Sequence, residues 1–215
     1  MKMIKAILFD FDGTLADTAP GIVKTMECTF KEMGLPVPSE EAMRNTIGLP
    51  LPKALQSLNG LNDKDTETAT EIYRRLFATV EAALITIFPK VKETLQILHE
   101  RGLRLAICTS RNVESLDMIL LHHDIGRFFE TKVTHSDNLP AKPAPDMVLA
   151  LLERMKLKAD EAIVVGDTTF DIQMGNSAGC RTVAVTYGNH AVDRLSTACP
   201  SVMIDSFDKL LDEIE

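Results

Sequence analysis

Residues 4–15 read IKAILFDFDGTL. The short apolar run at 4–9 ends at Asp10, which predicts a buried strand delivering a carboxylate at its C-terminal end. Asp12 follows one residue later. Two carboxylates this close, on a turn leaving a strand, are costly to hold together without a cation. The plainer alternative is a strand end closed by an Asx-type turn. The functional alternative is a metal-assisted nucleophile beside an acid/base. Gly13 lets the chain turn sharply, and Thr14 offers a hydroxyl and an N–H to an incoming anion.

Working outward, residues 20–84 carry a helical pattern throughout. Ile22, Met26, Phe30 and Met33 recur at helix spacing, and Gly34 follows as a stop. Ser39 is placed to cap the next helix. Ala69, Ile72, Tyr73, Leu76, Phe77, Val80 and Leu84 form a second apolar stripe. Beyond Pro89 the pattern alternates. Strands are predicted at 103–108, 131–134, 162–165, 182–186 and, weakly, 202–204. Helices are predicted between them, and a Ser206-capped helix closes the chain. Repeated strand–helix units predict an α/β fold: a parallel sheet covered by helices on both faces. Residues 16–85 then form a helical cap inserted after the first strand. Residues 1–15 and 86–215 form a Rossmann-like core.

In open sheets of this kind, ligands bind at the carboxyl ends of the strands. Three predicted strands end there in polar residues: Asp10 after AILF, Thr109 after LAIC and Asp167 after IVVG. Asp167 opens a second acidic cluster, GDTTFD, which ends at Asp171. At Asp171 the competing reading is an acidic residue favoured by a helix N-terminus. Lys142 lies in AKPAPD, where two following prolines stiffen the backbone and suggest fixed placement of its ammonium. Thr109 and Ser110 offer hydroxyls and backbone amides at a strand end, as a phosphate cradle does.

Composition narrows the partners. The chain has 215 residues, a net charge of −8 and 45% hydrophobic residues. An acidic surface argues against nucleic-acid and anionic-membrane partners. The opening residues do not read as a signal peptide, and no apolar run approaches the roughly 20 residues that span a bilayer. Cys28, Cys108, Cys180 and Cys199 are scattered, which predicts reduced and mostly buried thiols in the cytoplasm. The five histidines show no triad or zinc spacing, and no GxGxxG follows the first strand. Size and surface predict a monomer or weak homodimer.

DFDGTLADT, the Thr109 strand end, the FFE…KPAPD stretch around Lys142 and VVGDTTFDIQMGNSAG occur in this order over nearly the whole chain. Together they resemble the four motifs of the haloacid dehalogenase-like superfamily, and within it the phosphoglycolate phosphatase-like branch. The resemblance implies a Mg²⁺-dependent phosphatase acting on a small phosphate monoester through an aspartyl-phosphate. It implies Asp10 as nucleophile and Asp12 as general acid, then base. It implies Thr109 and Lys142 as phosphate ligands, with Ser110 where asparagine is common. Asp10, Asp12 and Asp167 are implied as metal ligands, with Asp171 in support. Arg111 stands where a lysine is common, which leaves that loop open. Alternatives with the same chemistry are a phosphosugar mutase and an inorganic pyrophosphatase. A non-catalytic binding module would have lost one of the four motifs. The loop at 44–53 is expected to face the crevice. Arg44 and Lys53 in it are read as solvated charges, or else as contacts for a substrate carboxylate.

Overall fold

The structure, a computed structural model, describes residues 3–80 and 84–214, with the side chains of 78–80 outside the description. The first apolar run forms β1 (Ala6–Phe9), buried throughout. It sits at the middle of a parallel six-stranded sheet. The other strands are β4 (Arg104–Cys108), β5 (Phe129–Val133), β6 (Ala162–Gly166), β7 (Arg181–Val185) and β8 (Val202–Ile204), in the order β5-β4-β1-β6-β7-β8.

Side chains alternate across a strand, so β1 serves two cores. Ile7 and Phe9 join one apolar cluster with Leu95 and Leu98 of α5 (Val91–Glu100) and Leu116 of α6 (Val113–His122). Ala6 and Leu8 join another, with Val148 and Leu151 of α7 (Asp146–Met155) and Met174 of α8 (Thr169–Ser177). Helices therefore cover both faces, as the strand–helix alternation predicts.

Helix α8 lies very close to the sheet. A Cβ at Gly175 would stand 2.6 Å from Thr182 Cγ2 and 2.9 Å from Val164 Cβ. Overpacking a filled core costs about 1–3 kcal/mol. Gly175→Ala is thus expected to lower the urea midpoint at unchanged slope. An unchanged midpoint would show that the helix can back away freely.

Between Asp17 and Thr86 the chain builds α1 (Ala19–Glu32), α2 (Glu40–Arg44), α3 (Leu51–Asn59) and α4 (Asp63–Val80). Ile22, Met26 and Phe30 on α1 and Ala69, Tyr73 and Phe77 on α4 are buried where these two helices pack together. Ser39 caps α2 as expected, its Oγ accepting the Ala42 N–H at 3.2 Å.

Several local expectations change. Leu84, expected in the α4 stripe, is exposed. The side chain of Val80, also expected there, lies outside the described residues. The final turns (Phe207–Glu213) are a 3₁₀ helix rather than an α-helix. Ser206 does not cap it, because its hydroxyl donates to the Asp208 carboxylate instead. A two-stranded antiparallel ribbon, β2 (Ala16–Asp17) with β3 (Thr86–Ile87), joins the two ends of the helical segment. Strands of two residues carry no readable period. A short α9 (Val192–Ser196) follows β7. The four cysteines are free thiols, but only Cys108 and Cys180 are buried, and Cys199 is exposed. Among the described residues no helix is long and apolar enough to cross a membrane.

Candidate active site

Strands β4, β1 and β6 are neighbours. Their carboxyl ends therefore bring Thr109, Asp10 and Asp167 to one edge, although these residues are far apart in the chain. The Asp10 N–H donates to the Val165 carbonyl at 2.9 Å, which extends the ladder one residue past β1 and fixes that carboxylate. Lys142 arrives on the loop before α7 through a cis Lys142–Pro143 peptide. Its Nζ donates to Asp10 Oδ1 at 2.5 Å and to Asp171 Oδ1 at 2.7 Å, all three residues being buried.

Asp171 fits both of its readings. Its Oδ2 accepts the Thr168 N–H at 3.0 Å and the Thr168 hydroxyl at 2.6 Å, closing the first turn of α8. Its other oxygen carries Lys142. Asp167 Oδ1 accepts the Thr14 hydroxyl at 3.1 Å. Asp167 Oδ2 accepts the Asn189 backbone N–H at 2.7 Å and its Nδ2 at 2.9 Å.

Thr14 thus departs from expectation. Its hydroxyl holds Asp167, and its N–H bonds to the Phe11 carbonyl at 3.3 Å, so neither is directed at an anion. A buried donor takes a protein partner where one is in reach. Gly13 behaves as expected, with φ at +90°. It is also crowded, since a Cβ there would lie 2.1 Å from Asp167 Oδ2.

Thr109 and Ser110 border the same cavity as Asp10 and Asp12. The Thr109 Oγ1 accepts the Arg111 N–H at 3.2 Å and so keeps its own proton to donate. The Ser110 hydroxyl donates to the Gly48 carbonyl at 2.7 Å, which ties the core to the loop between α2 and α3. Arg111 has the most consequential contacts in this loop. Its Nε lies 3.1 Å from each Asp12 carboxylate oxygen, and a second guanidinium nitrogen closes the pair on Oδ1. Another donates to Ser115 Oγ at 2.6 Å, and the guanidinium lies 5.3 Å from the centre of the Phe77 ring on α4.

Around this edge the carboxylates of Asp10, Asp12, Asp167 and Asp171 face the cations of Lys142 and Arg111. Negative charge is in excess. Burial above all, then Asp171, Asp167 and Asp12, push the Asp10 carboxyl well above the usual carboxylate range, against the pull of Lys142. Burial followed by Asp171 pushes Asp167 up to about 7, against its bonds from Asn189 and Thr14. Burial disfavours charge on Lys142, but Asp10 and Asp171 outweigh it and raise its pKa, keeping the ammonium charged.

The residues fit a metal ion. Asp10, Asp167 and Asp171 each offer a buried carboxylate oxygen, and these oxygens lie within 4.8 Å of one another. Asp10 Oδ2 is buried without any hydrogen-bond partner. Hard anionic oxygens in electrostatic excess suit a hard divalent cation.

Asn189 escaped the sequence reading. The available signal was its place, just past the end of β7 in YGNH, at the same sheet edge. Its neighbour Tyr187 donates its hydroxyl to the Thr14 carbonyl at 2.9 Å. His190, which the sequence places in no triad or zinc pattern, is buried, and its Nδ1 accepts the Thr169 N–H at 3.0 Å. Burial, with Arg194 nearby, lowers its pKa to about 4. Arg44 pairs with Glu40 at 2.9 Å and Lys53 is exposed. Neither borders the cavity, although residues 46–49 between them do.

An aspartate-tipped parallel sheet of this order, with a lysine and further aspartates converging on its edge, defines a class of α/β hydrolases. The sequence model of the haloacid dehalogenase-like hydrolases matches residues 7–185, and the chain belongs to that family. The phosphoglycolate phosphatase of Vibrio parahaemolyticus is 31% identical over 220 residues, covering 98% of this chain and 96% of the relative. A protein of Dickeya dadantii described as "Probable phosphatase IndB" is 33% identical over 209 residues, covering 95% and 91%. Among solved structures, the haloacid dehalogenase-like hydrolase SP0104 of Streptococcus pneumoniae superposes with a TM-score of 0.88 at 27% identity, covering 99% of each chain.

Proposed function

We propose that this chain is a Mg²⁺-dependent phosphohydrolase of small phosphate monoesters, of the kind that its phosphoglycolate phosphatase relatives are named for. One observation carries the mechanism: Asp10 Oδ2 is buried and unpartnered, while Lys142 holds the other oxygen. That leaves one oxygen of a fixed carboxylate available as nucleophile.

In the first step Asp10 Oδ2 bonds to phosphorus, and the ester oxygen departs with a proton from Asp12. In the second, Asp12 takes a proton from water, whose oxygen bonds to phosphorus. The Asp10–phosphorus bond breaks, freeing phosphate and the carboxylate. The covalent stage divides one hard displacement into two easier ones. Proton transfer by Asp12 contributes roughly 10²- to 10⁴-fold. Arg111 orients Asp12, and Lys142, the Thr109 hydroxyl and the Ser110 backbone N–H, its hydroxyl being engaged by Gly48, are the groups assigned to the phosphate. The carboxylates of Asp10 and Asp167 and the backbone carbonyl of Asp12 would hold Mg²⁺. When bound, it would neutralise charge that otherwise sets phosphate against carboxylate, roughly 4 kcal/mol for unit charges about 4 Å apart at an effective dielectric of about 20. Residues 16–85 act as a cap that keeps bulk water from the ester.

The same reading makes the chain a cytoplasmic monomer or weak homodimer whose partner is a small phosphorylated metabolite, not nucleic acid or membrane. The net charge of −8 supports the last part of this, since nucleic acid and anionic membranes call for basic surfaces.

The test is release of inorganic phosphate from p-nitrophenyl phosphate before and after EDTA, with Mg²⁺ restored. Activity is expected to vanish and return, and release that ignores EDTA would overturn the metal assignment. In the same assay Asn189→Ala, which removes one of the two side-chain donors to Asp167, is expected to raise the Mg²⁺ needed for half-maximal rate about 10- to 100-fold. An unshifted Mg²⁺ dependence would remove Asn189 from the site.

A further inference from the structure

The cavity above Asp10 has a volume of about 270 Å³. Its floor is polar: Asp10, Asp12 and Thr109. Much of the rest of its lining is apolar. Ile22 and Met26 of α1, Leu49, Leu51 of α3, and Tyr73 and Phe77 of α4 border it. An apolar cavity of about 150 Å³ holds one benzene ring. The space therefore suits a ring-sized apolar group with a phosphate beneath it.

The cations that border this cavity are poorly placed for a second anionic group. Arg111 is already bonded to both oxygens of Asp12 and to Ser115. Arg74 is exposed, and Glu114, also exposed, borders the same cavity with the opposite charge. His135 borders it too, but burial followed by Arg74 lowers its pKa and so disfavours a charged imidazole. A carboxylate on the leaving group would lose water among Ile22, Leu49 and Phe77 in return for, at most, an exposed and solvent-screened ion pair with Arg74. An apolar leaving group loses no hydrogen bonds there and is removed from water.

We propose that the preferred substrate is a phosphate monoester whose leaving group is mainly apolar and about the size of one ring, and that phosphoglycolate is a poor member of its substrate class. This rests on the phosphohydrolase reading above and narrows it.

The test compares benzyl phosphate with phosphoglycolate at saturating Mg²⁺. Both release a primary alcohol, so the comparison reads the pocket more than the intrinsic leaving ability. The value of kcat/KM is expected to be at least about tenfold higher for benzyl phosphate, as apolar pocket contacts allow. A smaller ratio, or preference for phosphoglycolate, overturns the inference and leaves the phosphohydrolase reading standing. No Mg²⁺-dependent release from either ester or from p-nitrophenyl phosphate would bring down both. Leu51→Lys, which adds an ammonium to a half-buried wall position, is expected to move the ratio toward phosphoglycolate by about tenfold through KM. A gain on phosphoglycolate cannot come from misfolding. A ratio unmoved by this variant also overturns the inference.

Discussion

Asp10→Asn is expected to reduce phosphate release from p-nitrophenyl phosphate by roughly 10³-fold or more, the scale on which loss of a covalent nucleophile is felt. The amide keeps the shape and can still lie beside Lys142, but it cannot form the acyl phosphate. Stability should move the other way. Burial and three neighbouring carboxylates raise the Asp10 pKa in the folded chain, against Lys142. The native state then binds the proton more tightly than the unfolded state, so this group's contribution falls as pH rises above the ordinary carboxylate value. Asparagine removes that penalty. In EDTA, the variant is expected to melt at or above the wild-type temperature at pH 8, and to lose that advantage toward pH 4. Wild-type rates in the variant would defeat the nucleophile assignment. A lower melting temperature at pH 8 would defeat the charge argument while leaving the chemistry untouched.

Lys142→Met is the second large effect, and it acts on stability and activity together. The ammonium is buried and bonded to Asp10 at 2.5 Å and Asp171 at 2.7 Å. Methionine fills much of the volume but leaves two buried carboxylates facing each other. Removing one partner of a buried ion pair typically costs about 3–5 kcal/mol, because the remaining charge is uncompensated. The orphaned carboxylates can escape by taking up protons, and the folded pKa of Asp10, already raised, rises further. A raised carboxylate pKa means stability lost as pH rises above the unfolded value. The deficit relative to wild type is therefore expected to be larger at pH 8 than at pH 5. Lys142 itself stays charged across that window, since its own pKa is raised. Urea unfolding at both pH values measures this. Equal deficits would mean that packing, not charge, is what Lys142 supplies. Phosphate release by this variant is expected to fall sharply even where it is folded, since the role proposed for Lys142, offsetting phosphate charge, cannot pass to a thioether.

How much of this was legible without coordinates depends on the range of the signal. β1 could be read because a short apolar run ends abruptly in DFDG. Ser39 could be read because a cap is a contact three residues long. The β2–β3 ribbon could not, since two residues make no period and the partner lies some seventy residues on. The Ser206 cap failed because a hydroxyl with an aspartate two residues away has a competing local acceptor. Thr14 was given to the substrate because its nearest neighbours in sequence are Asp10 and Asp12. Its actual partner, Asp167, is 153 residues distant.

Sequence by itself determined the strands that end in Asp10, Thr109 and Asp167, the loop that carries Lys142 and the helical segment between 20 and 80. Each of these follows from period, punctuation and turn chemistry within a few residues. Tertiary structure alone decided that β4, β1 and β6 lie side by side, that Asn189 and Thr14 hold Asp167, that Arg111 holds Asp12 and that the helical segment lines the cavity with apolar side chains. Those contacts join residues with no local relation. They exist only once burial of both faces of the sheet has fixed which strands are neighbours.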